Sequence, residues 1–181
     1  MNQAPALHSE RLILRKPEEG DIQDRFTCGR SAEVEKMCGR STIDLQPYTY
    51  EEAKHWVERL MSKPLAWSIE YQGRCIGQAR LIVNEIDRKA RYAVGLFDES
   101  ILGKGFGTEI TQVVLHYAFS TLGLHRVELR VLEYNTRAIA CYEKCGFVKE
   151  GLEREGALID EKWFSDWRMS ILEQEYFKEM K

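Results

Sequence analysis

The period of the apolar positions changes several times along the chain, and each change predicts an element. Arg11-Leu12-Ile13-Leu14-Arg15 ends at Pro17 and reads as a first strand, after which Asp21 could cap a helix running towards Met37. Thr49 with Glu52 three residues on forms a capping box, and Ala53, Trp56, Val57 and Leu60 recur on one helical face before Pro64. Ala66 to Tyr71 and Arg74 to Val83 are strands about a Gln72-Gly73 turn, and Arg91 to Phe97 follows the polar turn Asp87-Arg88-Lys89. Phe106, Ile110, Val113, Val114 and Tyr117 keep a helical period that stops near Gly123, and Val127 to Val131 alternates as a strand. Asn135 or Thr136 starts a helix carrying Ile139 and Tyr142, with Gly146 where a C-terminal cap belongs. Two last strands, around Phe147 and from Lys162 to Ile171, flank a turn near Asp160. This order mixes antiparallel hairpins with a parallel crossover and predicts an α+β, or mixed α/β, fold.

The 181 residues, 44% hydrophobic and 30% charged, fit one globular domain over residues 1–181 that buries a core without disulfides or structural metals. A net charge of -3 with scattered Lys and Arg argues against nucleic acid and suits a cationic substrate only weakly. Five cysteines without C-x-x-C spacing suggest neither a disulfide framework nor a zinc site, and His55 and His125 lack ligand partners at metal spacing. From the polar stretch at Met1 onward, no run reaches the length of a signal h-region or a membrane span. A reducing cytoplasm without membrane or metal is therefore the expected setting. A homodimer stays open.

Candidate chemistry begins at Gly103-Lys104-Gly105-Phe106-Gly107, directly before a helix. Alternate glycines let the backbone approach a ligand and turn free N–H groups outward, where the helix N-terminus adds positive potential. A pyrophosphate is the natural guest, and Lys104 could add a charge. A Walker loop needs Ser or Thr where Gly105 stands, and a dinucleotide fingerprint needs glycine at Thr108. On the glycines alone, a plain helix-capping turn competes equally. Further on, Asn135, Ala138, Tyr142, Lys144, Gly146 and Phe147 stand in the order N-x-x-A-x-x-x-Y-x-K-x-G-F. Together the two patterns resemble the GNAT acetyltransferase superfamily. Ser9 to Arg15 and Leu124 to Glu128 are similar to its ribosomal-protein N-terminal acetyltransferase branch, and Cys141 to Phe147 to spermidine acetyltransferases. Asn135 to Phe147 is also close to some aminoglycoside 6′-N-acetyltransferases.

The resemblance implies a mostly antiparallel mixed sheet, splayed in the middle and flanked by helices, with acetyl-CoA in the cleft. The backbone of Leu96 and Phe97 would pair with pantetheine, the amides from Gly103 to Thr108 would hold the pyrophosphate, and Asn135 would bond the pantetheine. Leu102 and Lys144 fall in the same cofactor set, although the family usually has Gln or Arg at Leu102. Tyr142 would face the thioester sulfur as a proton donor. Many relatives carry Glu near Tyr92, which leaves the general base open. Glu85, near the end of a central strand, is the first choice, acting directly or through water, or else attracting a cationic substrate; a plain surface carboxylate is the competing reading. The expected reaction is direct attack by a primary amine on acetyl-CoA in a ternary complex. That amine would sit on a protein or peptide N-terminus, a polyamine or another small molecule, with Met37 to Tyr50 and the turn near Asp160 lining its pocket. A non-catalytic CoA-binding or sensing module and an aminoglycoside-type acetyltransferase are the alternatives.

Overall fold

A computed structural model describes residues 4–179; the beginning of the polar stretch at Met1 lies outside them. Eight strands form one sheet in the order β1-β2-β3-β4-β5-β6-β8-β7. β1 (Leu7–His8), β2 (Ile13–Arg15), β3 (Ala66–Tyr71), β4 (Arg74–Asn84) and β5 (Lys89–Leu96) pair antiparallel in succession. β6 (Arg126–Leu132) joins β5 in parallel, and β8 (Lys162–Leu172) and β7 (Val148–Ile159) complete the other half. Gln72 and Gly73 both adopt positive φ, as a two-residue hairpin turn requires.

The expected helix from Asp21 to Met37 is two helices, α1 (Asp21–Cys28) and α2 (Ala32–Met37). Gly29 at φ 72° stops the first, and the Ser31 hydroxyl accepts from the Val34 N–H to start the second. Asp21 does not cap α1. It is fully buried and takes hydrogen bonds from Arg15, Ser68 and the Glu18 N–H, so its charge is satisfied. α3 (Tyr50–Met61) begins on the reciprocal Thr49–Glu52 capping box and buries Ala53, Val57 and Leu60. α4 (Phe106–His116) passes into a π-helical turn, Tyr117–Thr121, before Gly123. α5 spans Thr136–Lys144, and α6 (Glu173–Glu179) was not foreseen in the sequence.

Strand alternation divides the side chains between two faces. Trp67, Ala79, Leu81, Tyr92, Val127, Leu129 and Ile171 face the core beneath α4, which contributes Phe106, Ile110, Val114 and Leu115. On the opposite face, Ile22 of α1 packs with Ala53 and Val57 of α3 in a smaller cluster with Tyr48 and Trp56.

Candidate active site

The two sheet halves meet only at Lys89–Arg91 against Arg126–Glu128. Beyond those three pairs β5 and β6 part, although each runs several residues further. A cavity of about 700 Å³ fills the opening, bordered by Ala93 to Leu96, the glycine loop, Arg130 to Leu132, and α2 with α5. This volume suits a sizeable organic ligand.

The ladder shows which backbone groups face the gap. The Phe97 N–H donates to the Ile76 carbonyl at 3.1 Å, and antiparallel pairs alternate between bonded and open. Gly95 and Ala93 therefore turn their peptide groups to β4, whereas Val94 and Leu96 turn theirs towards β6. Having lost β6 at that height, Val94 and Leu96 offer an open strand edge to an extended amide-bearing ligand. Phe97 does not; its amide is used and its ring packs on Trp56 at 5.2 Å.

At the end of this edge the chain makes a 3-10 turn, Glu99–Ile101, and reaches Leu102. Gly103 at φ 76° and Gly105 at φ 82° hold the loop in left-handed backbone, and Gly105 caps α4 without a side-chain bond. The N–H groups of the first turn thus remain for an anion. Gly107 packs closely on α5: a Cβ there would come within 3.2 Å of the Cys141 sulfur, which would have to shift by a few tenths of an ångström. The loop is clipped from behind by Arg11, which donates to the Lys104 carbonyl at 3.1 Å, pairs with Glu109 at 2.6 Å and covers the Phe106 ring at 4.3 Å. Burial would raise the Glu109 carboxyl, but hydrogen bonds from Ser9 and Arg11 outweigh it and hold the group below its ordinary pKa.

From α5, Tyr142 reaches the cleft with its ring edge to Tyr92 at 6.5 Å and to Phe147 at 5.8 Å. Burial pushes its phenol above the ordinary value. Tyr92 is deeper, bonded to Thr111 at 3.1 Å, and burial raises it as well. Asn135 caps α5 through its side-chain oxygen, accepting from the Ala138 N–H at 3.1 Å, while its amide donates to the Met37 carbonyl at 3.1 Å. Tyr134 donates to the Lys36 carbonyl at 2.6 Å, and Arg137 pairs with Glu33 at 3.1 Å. These three contacts pin α2 over the open side of the cleft.

The sequence matches the model of the acetyltransferase (GNAT) domain over residues 11–148. The chain belongs to the GNAT acetyltransferases. Acetyl-CoA is the co-substrate of that family, and the open edge beside an anion-receptive helix terminus fits its pantetheine and pyrophosphate. The spermidine N(1)-acetyltransferase of Vibrio cholerae serotype O1 is 37% identical over 106 residues, 58% of this chain and 61% of that protein. The uncharacterized N-acetyltransferase p20 of Bacillus licheniformis is 28% identical across 94% of this chain and 97% of its own. Among solved structures, a spermidine N-acetyltransferase from Vibrio cholerae in complex with CoA and spermine superposes with a TM-score of 0.75, at 28% identity over 92% of this chain and 98% of that one. A GNAT acetyltransferase from Bacillus anthracis, at 21% identity over 94% and 99%, shares the fold with a TM-score of 0.79.

Most of the GNAT positions expected from the sequence border one cleft: Leu96, Leu102, Gly103, Gly105, Phe106, Gly107, Thr108, Asn135, Tyr142 and Lys144. Three do not. Phe97 is turned away, and Lys104 lies outside the lining with its carbonyl held by Arg11. Glu85 is exposed in the turn after β4. Five residues at a strand rise of about 3.3 Å set it roughly 17 Å along from Arg80, the last residue of β4 that lines the cleft, so Glu85 does not reach this site as a base. Residues the sequence reading missed are Gln78, Arg80, Arg130 and Asp166, all on the sheet face beneath α2. Their signal was polar side chains recurring every second position in central strands.

Proposed function

We propose that this chain transfers acetyl from acetyl-CoA to a primary amine by direct attack in a ternary complex. The observation that carries this reading is the open edge of Val94 and Leu96 leading into the free first turn of α4, with Tyr142 beside it. A pantetheine arm would continue the sheet as an added strand, and its thioester would come to rest where β5 and β6 part. Tyr142 would donate to the departing sulfur. A phenol raised by burial gives up its proton reluctantly, so strong hydrogen bonding serves better than full transfer to a thiolate whose ordinary pKa is about 8.5.

Among the described residues the one carboxylate bordering the cleft is Asp166, and its bond to Arg130 at 2.9 Å engages it rather than leaving it free to act as base. An alkyl amine of pKa about 10.4 is neutral in only roughly one molecule per thousand near pH 7, so the acceptor would shed its proton to solvent before binding. Holding the two reactants in line, worth ~7–11 kcal/mol, would then carry most of the acceleration. The five free cysteines suit a reducing compartment. Release of CoA thiol that depends on an added amine, with kcat/KM rising as the amine deprotonates, supports the reading. A protein whose melting temperature rises with acetyl-CoA but which releases thiol with no amine would be a CoA-binding module instead.

A further inference from the structure

The charges beneath α2 bear on which amine is accepted. Four cations border the cleft, Arg80, Arg130, Arg137 and Lys144, against one carboxylate, Asp166. Asp166 is 8% exposed and already bonded to Arg130. The acidic groups of α2 are also engaged, Glu33 with Arg137 and Glu35 with Arg40. A polycation would meet no free carboxylate along this lining.

Arg80 differs from the other arginines. Arg130 is neutralised by Glu153 and Asp166, and Arg137 by Glu33. Arg80 has no ion pair or side-chain hydrogen bond among the described residues, and its Nε is buried without a partner. Its position separates it from the cofactor phosphates. β4 alternates, so Ala79 and Leu81 enter the core under α4 while Gln78 and Arg80 project to the opposite face, towards α2. Arg80 is paired with Ala93, three residues before Leu96, whereas the phosphate loop follows Leu96. A buried guanidinium nitrogen lacking a protein partner must be satisfied by water or by a ligand, and at the wall of this cavity an anionic ligand would offer the stronger, charge-assisted bond.

We infer that Arg80 receives an anionic group of the acceptor, so that the preferred substrate is a small amine that also carries a carboxylate or phosphate. The inference rests on the transferase reading above. On this account the planar guanidinium would bind the anion through two N–H donors, leaving the amine to point back to the thioester between β5 and β6.

The test compares CoA thiol release with 4-aminobutyrate, O-phosphoethanolamine, butylamine and spermidine, for the native protein, Arg80→Met and Arg80→Lys. The native protein should favour an anionic amine over butylamine by about 10- to 100-fold in kcat/KM, the worth of a charge-assisted hydrogen bond. Arg80→Met should abolish that ratio, and Arg80→Lys should retain part of it. Comparing the two anionic amines identifies the carboxylate or the phosphate as the group received. Preference for spermidine or butylamine overturns the inference, as does a ratio that survives Arg80→Met. Failure of every amine would instead sink the transferase reading. Calorimetric binding of the two anionic amines to the protein–CoA complex then decides the anion site by itself: binding weakened in both Arg80 variants supports it, and no binding, or binding equal to the native protein's, refutes it.

Discussion

Tyr142 shows how one helix position acquires a chemical role from its surroundings. As a ring on an amphipathic helix it packs against Phe147 and Tyr92, which any buried aromatic could do. What distinguishes it is that it borders the cleft where β5 and β6 part, while burial holds its proton in place. Replacement by Phe preserves the packing and removes the donor. We expect Tyr142→Phe to lower kcat by about 10²-fold or more, with the KM for acetyl-CoA little changed. Because the folded phenol titrates above its ordinary value of about 10, native and variant proteins should share the same pH dependence from pH 6 to 9, rising as the amine deprotonates. A kcat left intact in Tyr142→Phe would remove the hydroxyl from the mechanism.

At the scale of elements, α2 is six residues long and is held by its contacts more than by its own helical propensity. Asn135 has two tasks, capping α5 and donating to Met37, and substitutions can separate them. Asparagine and aspartate are about equally good caps, so Asn135→Asp keeps the first task and loses the second; Asn135→Ala loses both. Asn135→Ala should cost about 1 kcal/mol of stability, read by denaturant unfolding, whereas Asn135→Asp should cost clearly less. Both should raise the acceptor KM if α2 closes the amine's side of the cleft; an unchanged KM in both would show that α2 is only a cover. The legibility of elements followed the range of their causes. The Thr49–Glu52 box, the Gln72-Gly73 turn and the Gly105 cap are set within four residues, and the sequence displayed them. Gly29 and Ser31 were equally local signals for two helices, but the weak apolar period between Asp21 and Met37 obscured them.

The molecule as a whole is two half-sheets joined at three residue pairs, and no local pattern encodes that seam. The glycine loop and Tyr142 were legible because their motifs are contiguous. Gln78, Arg80, Arg130 and Asp166 were not, since they share a face only through the register of β4, β6 and β8. The far half-sheet is stitched by charges that predict its response to acid. Arg126 on β6 grips Glu150 on β7 at 2.5 Å, and the Ser170 hydroxyl on β8 donates to the same carboxylate at 2.8 Å. The Arg126 hydrogen bond, aided by Ser170 against the opposing effect of burial, lowers the Glu150 pKa to about 2. An unfolded glutamate titrates near 4.3, so the folded state binds this proton later than the unfolded chain. The resulting stability is complete above about pH 5 and is lost as pH falls towards 2. Glu109, lowered by Ser9 and Arg11 despite burial, acts in the same direction on the other half. The Glu150 side chain is 41% exposed, so solvent screening limits the pair to about 1 kcal/mol, or roughly 2–4 °C in a chain of this size. Glu150→Gln should therefore melt about 2–4 °C below the native protein at pH 7, and the gap should close as both are taken to pH 2. A gap that stays constant with pH would mean that packing or the Ser170 contact, and not the charge on Glu150, joins β7 to the sheet.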